Sequence, residues 1–86
     1  MSRLIPAAER ITRARALIQK ARELTAPSEP GSVYFSYVAQ VKDLLRQARD
    51  LIKFIPNMPS ATPEMKQAVA DLLKEAEEAE KEILRR

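Results

Sequence analysis

Eighty-six residues with neither cysteine nor histidine exclude disulfides, zinc–thiolate centres, thiolate nucleophiles and the commonest general base. A balance of 45% hydrophobic and 31% charged residues belongs to one small globular domain, not to a disordered chain. The net charge of +3 is low for a dedicated nucleic-acid binder.

Arg3 and Leu4 run straight into Pro6 with no signal-peptide pattern, and no apolar run approaches the roughly 20 residues of a membrane span. A cytoplasmic protein is the expectation. Pro6 suits the first turn of a helix, where its missing N–H costs nothing. From residue 6 to about 25 the spacing of Ala7, Ile11, Ala14, Ile18 and Ala21 predicts a helix with one apolar seam, preceded by Leu4. Leu17 and Leu24 widen that seam on one side. Alanines alternating with isoleucines predict a close approach to a neighbouring helix. The rest of this helix is basic, with Arg10, Arg13, Arg15, Lys20 and Arg22 against Glu9 and Glu23.

The segment from Thr25 to Ser32 holds Pro27, Pro30 and the chain's only glycine, Gly31, and so breaks the helix. Gly31 or Ser32 is the expected N-cap of the next one. That second helix is predicted over 33–55, ending at Pro56, which disfavours helical geometry in the residue before it. Its main seam is Tyr34, Val38, Val41, Leu45, Ala48, Ile52 and Ile55. A second seam lies one position earlier: Val33, Tyr37, Gln40, Leu44, Gln47, Leu51 and Phe54. One stripe suffices to pack on one neighbour, so two adjacent seams imply two neighbours, or one neighbour and a bound partner. On the other side runs a basic stripe, Lys42, Arg46, Arg49 and Lys53, interrupted by Asp43 and Asp50.

A second proline-marked connection, residues 56–61, leads into Thr62-Pro63-Glu64. A capping hydroxyl, a first-position proline and an early acid mark a helix start. This third helix is predicted over 63–84 with the seam Met65, Val69, Leu72, Ala76, Ala79 and Ile83, and with Leu73 and Leu84 beside it. Arg85 and Arg86 suit its negative C-terminal end. Three helices joined by short loops predict an all-α, antiparallel, up-down-up three-helix bundle spanning residues 1–86.

Charge is distributed unevenly. Residues 63–86 carry seven acids and five bases, whereas residues 6–25 carry two acids and five bases. The basic stripe of the second helix is expected to meet Glu77 and Glu80. Asp71, Glu75, Glu78 and Glu82 point instead towards the first helix or solvent, either as a solvated, arginine-paired face or as a dock for a basic peptide. Of the clustered aromatics, Tyr34 and Tyr37 fall on apolar seams, while Phe35 has no obvious place inside. No serine has a base to activate it, and the third-helix acids lack the remainder of a cation shell. The reading is therefore a non-enzymatic protein with no cofactor and no metal.

Three stretches resemble the MIT (microtubule interacting and trafficking) domain, the three-helix module of ESCRT-III-associated ATPases and other trafficking proteins, including archaeal forms. They are Ala14-Arg-Ala-Leu17-Ile18-Gln-Lys20-Ala21, the segment from Tyr34 to Leu45, and Leu72-Leu-Lys-Glu-Ala76-Glu77-Glu-Ala79-Glu-Lys-Glu-Ile83. The resemblance implies a protein-transport module that binds a short ESCRT-III-like tail peptide beside its third helix. Such recognition places an amphipathic helix in a groove, with apolar anchors and charged flanks. Leu73, Ala76, Glu77, Glu80 and Leu84 would line that groove on the third helix. The second helix would supply whichever seam the first leaves uncovered, here taken as Leu44, Leu51 and Phe54. The alternatives are a mildly basic bundle that binds nucleic acid and a self-associating protein whose second seam closes a homo-oligomer.

Overall fold

A computed structural model describes residues 6–28 and 31–84. Leu4, Arg85 and Arg86, to which the sequence assigns places on the helices, lie outside the described residues. Three α-helices form the bundle: α1 (Ala7–Glu23), α2 (Ser32–Ile52) and α3 (Pro63–Leu84). Their directions follow from side chains that meet. Arg10 of α1 donates from Nη1 to the Leu51 carbonyl near the end of α2 (3.3 Å), so α1 and α2 are antiparallel. Arg22 at the end of α1 meets Glu82 at the end of α3 (3.0 Å), so those two run parallel. This is the expected up-down-up arrangement.

The helix ends differ from the expected ones in instructive ways. Pro6 occupies the capping position with extended geometry (ψ 149°) and does not enter the first turn. At the other end Leu24 is extended (ψ 133°) and closes the helix two residues early. Gly31 caps α2 with φ +105° and ψ −148°, a region that essentially only glycine occupies. The largest difference is at the end of α2, which was expected to reach Ile55. The α-helix stops at Ile52, and Ile55–Asn57 form a 3-10 turn. Pro56 has no N–H to extend the α-helical ladder. Tighter bonds take over, from the Asn57 N–H to the Phe54 carbonyl (3.0 Å) and from the Met58 N–H to the Ile55 carbonyl (2.9 Å). Ile55 stays fully buried, but Phe54 swings out to 63% exposure. The start of α3 is as expected, with the Met65 N–H donating to Thr62 Oγ1 (3.1 Å).

The core follows the seams. Ile11, Ala14, Ile18 and Ala21 of α1 are buried, as are Val69, Leu72, Ala76 and Ala79 of α3. On α2 the buried set is Val41, Leu45, Ala48 and Ile52, joined at its start by Tyr37 from the second seam. Tyr34 and Val38 are only partly buried. Ala14, Ala21 and Ala48 have no solvent exposure, and such small side chains let the backbones of α1 and α2 draw close. The α1–α2 contact is the most extensive in the bundle, and the α2–α3 contact is the thinnest.

Candidate functional site

The half-exposed seam of α2 faces α1. Side by side and antiparallel, the two helices leave a shallow channel floored by Leu17 and Ala16 on one bank and Leu51 on the other. Its volume is about 640 Å³. Towards the other end of α2 lies a separate, smaller hollow of about 180 Å³ between Leu24 and Leu44, which shares Lys20 with the first. Leu17 and Leu24 are seven residues apart, as are Leu44 and Leu51. Each pair therefore lies two helical turns apart on nearly one line, and antiparallel packing sets Leu17 near Leu51 and Leu24 near Leu44.

Polar groups rim this apolar floor. Arg13 and Lys20 stand on the α1 bank, with Asp43, Gln47 and Asp50 on the α2 bank. Most of them are engaged locally. Arg13 meets Glu9 (3.4 Å), Asp43 meets Arg46 (2.8 Å) and Asp50 meets Lys53 (3.1 Å). Gln47 donates to the second oxygen of Asp43 (2.7 Å). Lys20 makes no ion pair among the described residues. All these local pairs join residues three or four apart and are solvent-exposed, so each contributes only a few tenths of a kcal/mol and yields readily to a better partner.

The residues expected to form one groove beside the third helix are not brought together. Leu44 and Leu51 line the α1–α2 channel, because α1 packs closely enough for its Leu17 and Leu24 to share that seam. Phe54 lies beyond the end of α2 in the turn made by Pro56, with Lys53 Nζ 5.1 Å from its ring centre, and lines neither hollow. Ala76 is 1% exposed and belongs to the core. Leu73 is half-buried. Glu77 is paired along its own helix with Lys81 (3.1 Å), not with the basic stripe of α2. Glu80 does meet that stripe, through Arg49 (3.4 Å). Glu80 and Leu84 share an open hollow of about 430 Å³ with Lys42 and Lys81, and this is all of the expected groove that converges.

The remaining charges settle where the seam geometry puts them. Asp71, Glu75 and Glu78 share an open hollow with Arg15 on the α1–α3 side, and Glu82 pairs with Arg22. Among the described residues no group of three or more acids is placed to hold a metal ion, and no helix is long and apolar enough to cross a membrane. Phe35 is 71% exposed and Val33 56%. Phe35 stacks edge-on against Tyr34 (6.4 Å between ring centres).

Leu44 and Leu51 on the α2 bank are among the residues expected from the sequence to bind a partner, whereas Leu17 and Leu24 on the α1 bank are not. The signal was present. Leu17 and Leu24 broaden the seam of the first helix at the same seven-residue interval that separates Leu44 from Leu51. No protein-family profile, no curated protein and no solved structure matches the chain.

Proposed function

We propose that this protein is a non-catalytic, cytoplasmic protein-interaction module whose α1–α2 channel receives an amphipathic helix. One observation carries the reading: two adjoining hollows, one lined by Leu17 and Leu51 and the next by Leu24 and Leu44, meet at Lys20 between the two helices, with charged side chains on both banks. Helix-in-groove recognition needs such an arrangement, with apolar anchors at one or two turns' spacing and charges that fix orientation. The occupant that fits carries leucine-like anchors at heptad spacing. Its acidic flank faces Arg13 and Lys20, and its basic flank faces Asp43 and Asp50. Packed there, it would turn a three-helix bundle into a four-helix one.

The likeness to MIT domains supports the same general function, peptide recognition in protein transport, with the groove on a different side. The family position, between α2 and α3, is favoured by the hollow shared by Lys42, Glu80, Lys81 and Leu84. There a basic ESCRT-III-like tail would lie.

An NMR titration of labelled protein separates the two positions. The probes are a synthetic leucine-seam helix with one acidic and one basic flank, and a basic amphipathic ESCRT-III-type tail peptide. Shifts at Leu17, Leu44 and Leu51 with the first probe support the α1–α2 channel. Shifts confined to Glu80, Leu84 and Lys42 with the second place the function beside α3. Silence with both refutes peptide recognition.

A further inference from the structure

The charges on the two banks of the channel are not scattered. Arg13 and Lys20 are seven residues apart on α1, and Asp43 and Asp50 are seven apart on α2. Each pair spans two turns, roughly 10.5 Å along its helix. Arg13, Lys20 and Asp50 line the larger hollow, and Lys20 and Asp43 line the smaller one beside it. One bank is therefore basic at two levels, and the other is acidic at the same two levels.

A surface with this pattern complements itself. Consider a second copy laid face to face on the channel about a two-fold axis that runs along it. The partner's α1 then lies over α2 and the partner's α2 over α1, each antiparallel to the helix beneath. Heights along the axis are unchanged, so the partner's Arg13 comes over Asp50 and its Lys20 over Asp43. The symmetric contacts repeat the match, giving four complementary pairs. The other face-to-face two-fold, perpendicular to the helices, sets α1 on α1 and α2 on α2, with base over base and acid over acid. The pattern selects one orientation and opposes the other, as charged flanking positions do in coiled coils.

The apolar floor agrees with the same axis. Leu17, Leu24, Leu44 and Leu51 of both copies would close into the seam of a four-helix bundle, with Gln47 of each copy in the layer of Leu17. Such self-complementary contact of identical patches is the rule for two-fold dimers.

We infer that the α1–α2 face closes on a second copy of this chain, docked about a two-fold axis parallel to the helices with Arg13 and Lys20 of each copy on Asp50 and Asp43 of the other. This rests on the reading of the channel and its two helices as a helix-binding surface, and it names what covers that surface: α1 and α2 of the second copy.

Charge reversal tests it, because these residues are exposed and their substitution leaves the core intact. One variant carries Arg13→Glu and Lys20→Glu; the other carries Asp43→Lys and Asp50→Lys. Sedimentation velocity from micromolar to millimolar protein gives the masses, and circular dichroism checks the fold. The wild-type protein is expected to reach a dimer that weakens with salt. Each variant alone is expected to dissociate roughly 100-fold more readily, and the equimolar mixture to regain a 1:1 dimer. A wild-type protein that stays monomeric at millimolar concentration overturns the inference. So do variants that dimerise as tightly as the wild type. If that monomer still binds the synthetic flanked helix through Leu17 and Leu51, the channel remains a helix-binding site and only its assignment to a second copy fails. If it binds neither, both fall.

Discussion

Leu51 and Ile52 are adjacent on α2, yet the structure gives them opposite duties. Ile52 has no exposed surface, whereas Leu51 is half-buried on the channel floor. Truncating Ile52 to alanine removes three carbons from a closed core and leaves a cavity, which costs about 3–4 kcal/mol. The same truncation at Leu51 removes carbons at an open surface and leaves no closed cavity, so the transfer term alone applies, reduced by the exposed fraction to about 1.5–2 kcal/mol. Urea unfolding followed by far-ultraviolet circular dichroism measures both. With a slope of about 1 kcal/mol per molar urea for a chain of this size, the midpoint should fall by about 3–4 M for Ile52→Ala and about 1.5–2 M for Leu51→Ala. The measurement belongs at low micromolar protein, where association contributes little. Equal losses at the two positions would mean that Leu51 is core and that no open channel exists.

Three further outcomes follow from the helix ends and contacts. Gly31→Ala should destabilise by about 1–3 kcal/mol. An added Cβ meets nothing within 4 Å, so the cost is backbone strain alone, and an unchanged thermal midpoint would mean that α2 does not start with φ +105°. Thr62→Ala should cost about 1 kcal/mol in urea unfolding through the lost cap on the Met65 N–H, and Thr62→Ser should restore most of it. A double-mutant cycle on Arg49 and Glu80, whose side chains are 36% and 35% exposed, should give a coupling of about 0.5 kcal/mol that fades in high salt. A coupling near zero at low salt would mean that the α2–α3 contact is not pinned by this pair.

Much of the bundle can be read from residue spacing because helical periodicity and burial share one cause. Ile11, Ala14, Ile18 and Ala21 repeat at three and four, and all four are buried. Thr62-Pro63-Glu64 marks the start of α3 because cap, proline and acid each satisfy a local need that no tertiary contact overrides. The end of α2 was less legible. Ile55 continues the seam and is buried, but Pro56 forces a 3-10 turn beneath it, and that local change of pitch takes Phe54 away from the surface it was expected to line.

The candidate site was legible as a surface but not as a location. The second seam of α2, with Gln40 and Gln47 between leucines, signals a face that is only partly covered. Which helix stands beside it depends on how closely the backbones approach. The alanines Ala14, Ala21 and Ala48 bring α1 near enough to make Leu17 and Leu24 the opposite bank. That outcome depends on the three-dimensional fit of small side chains, which seam counting along one helix does not contain.

The most direct measurement is a dilution series of labelled protein followed by backbone amide shifts, from millimolar to low micromolar at low salt. Expected are concentration-dependent shifts confined to the channel banks, at Arg13, Leu17 and Lys20 on α1 and at Asp43, Gln47 and Leu51 on α2. Shifts confined instead to Glu75 and Glu78 on the α1–α3 side, or a spectrum that does not change with concentration, would contradict a channel that closes on a second copy.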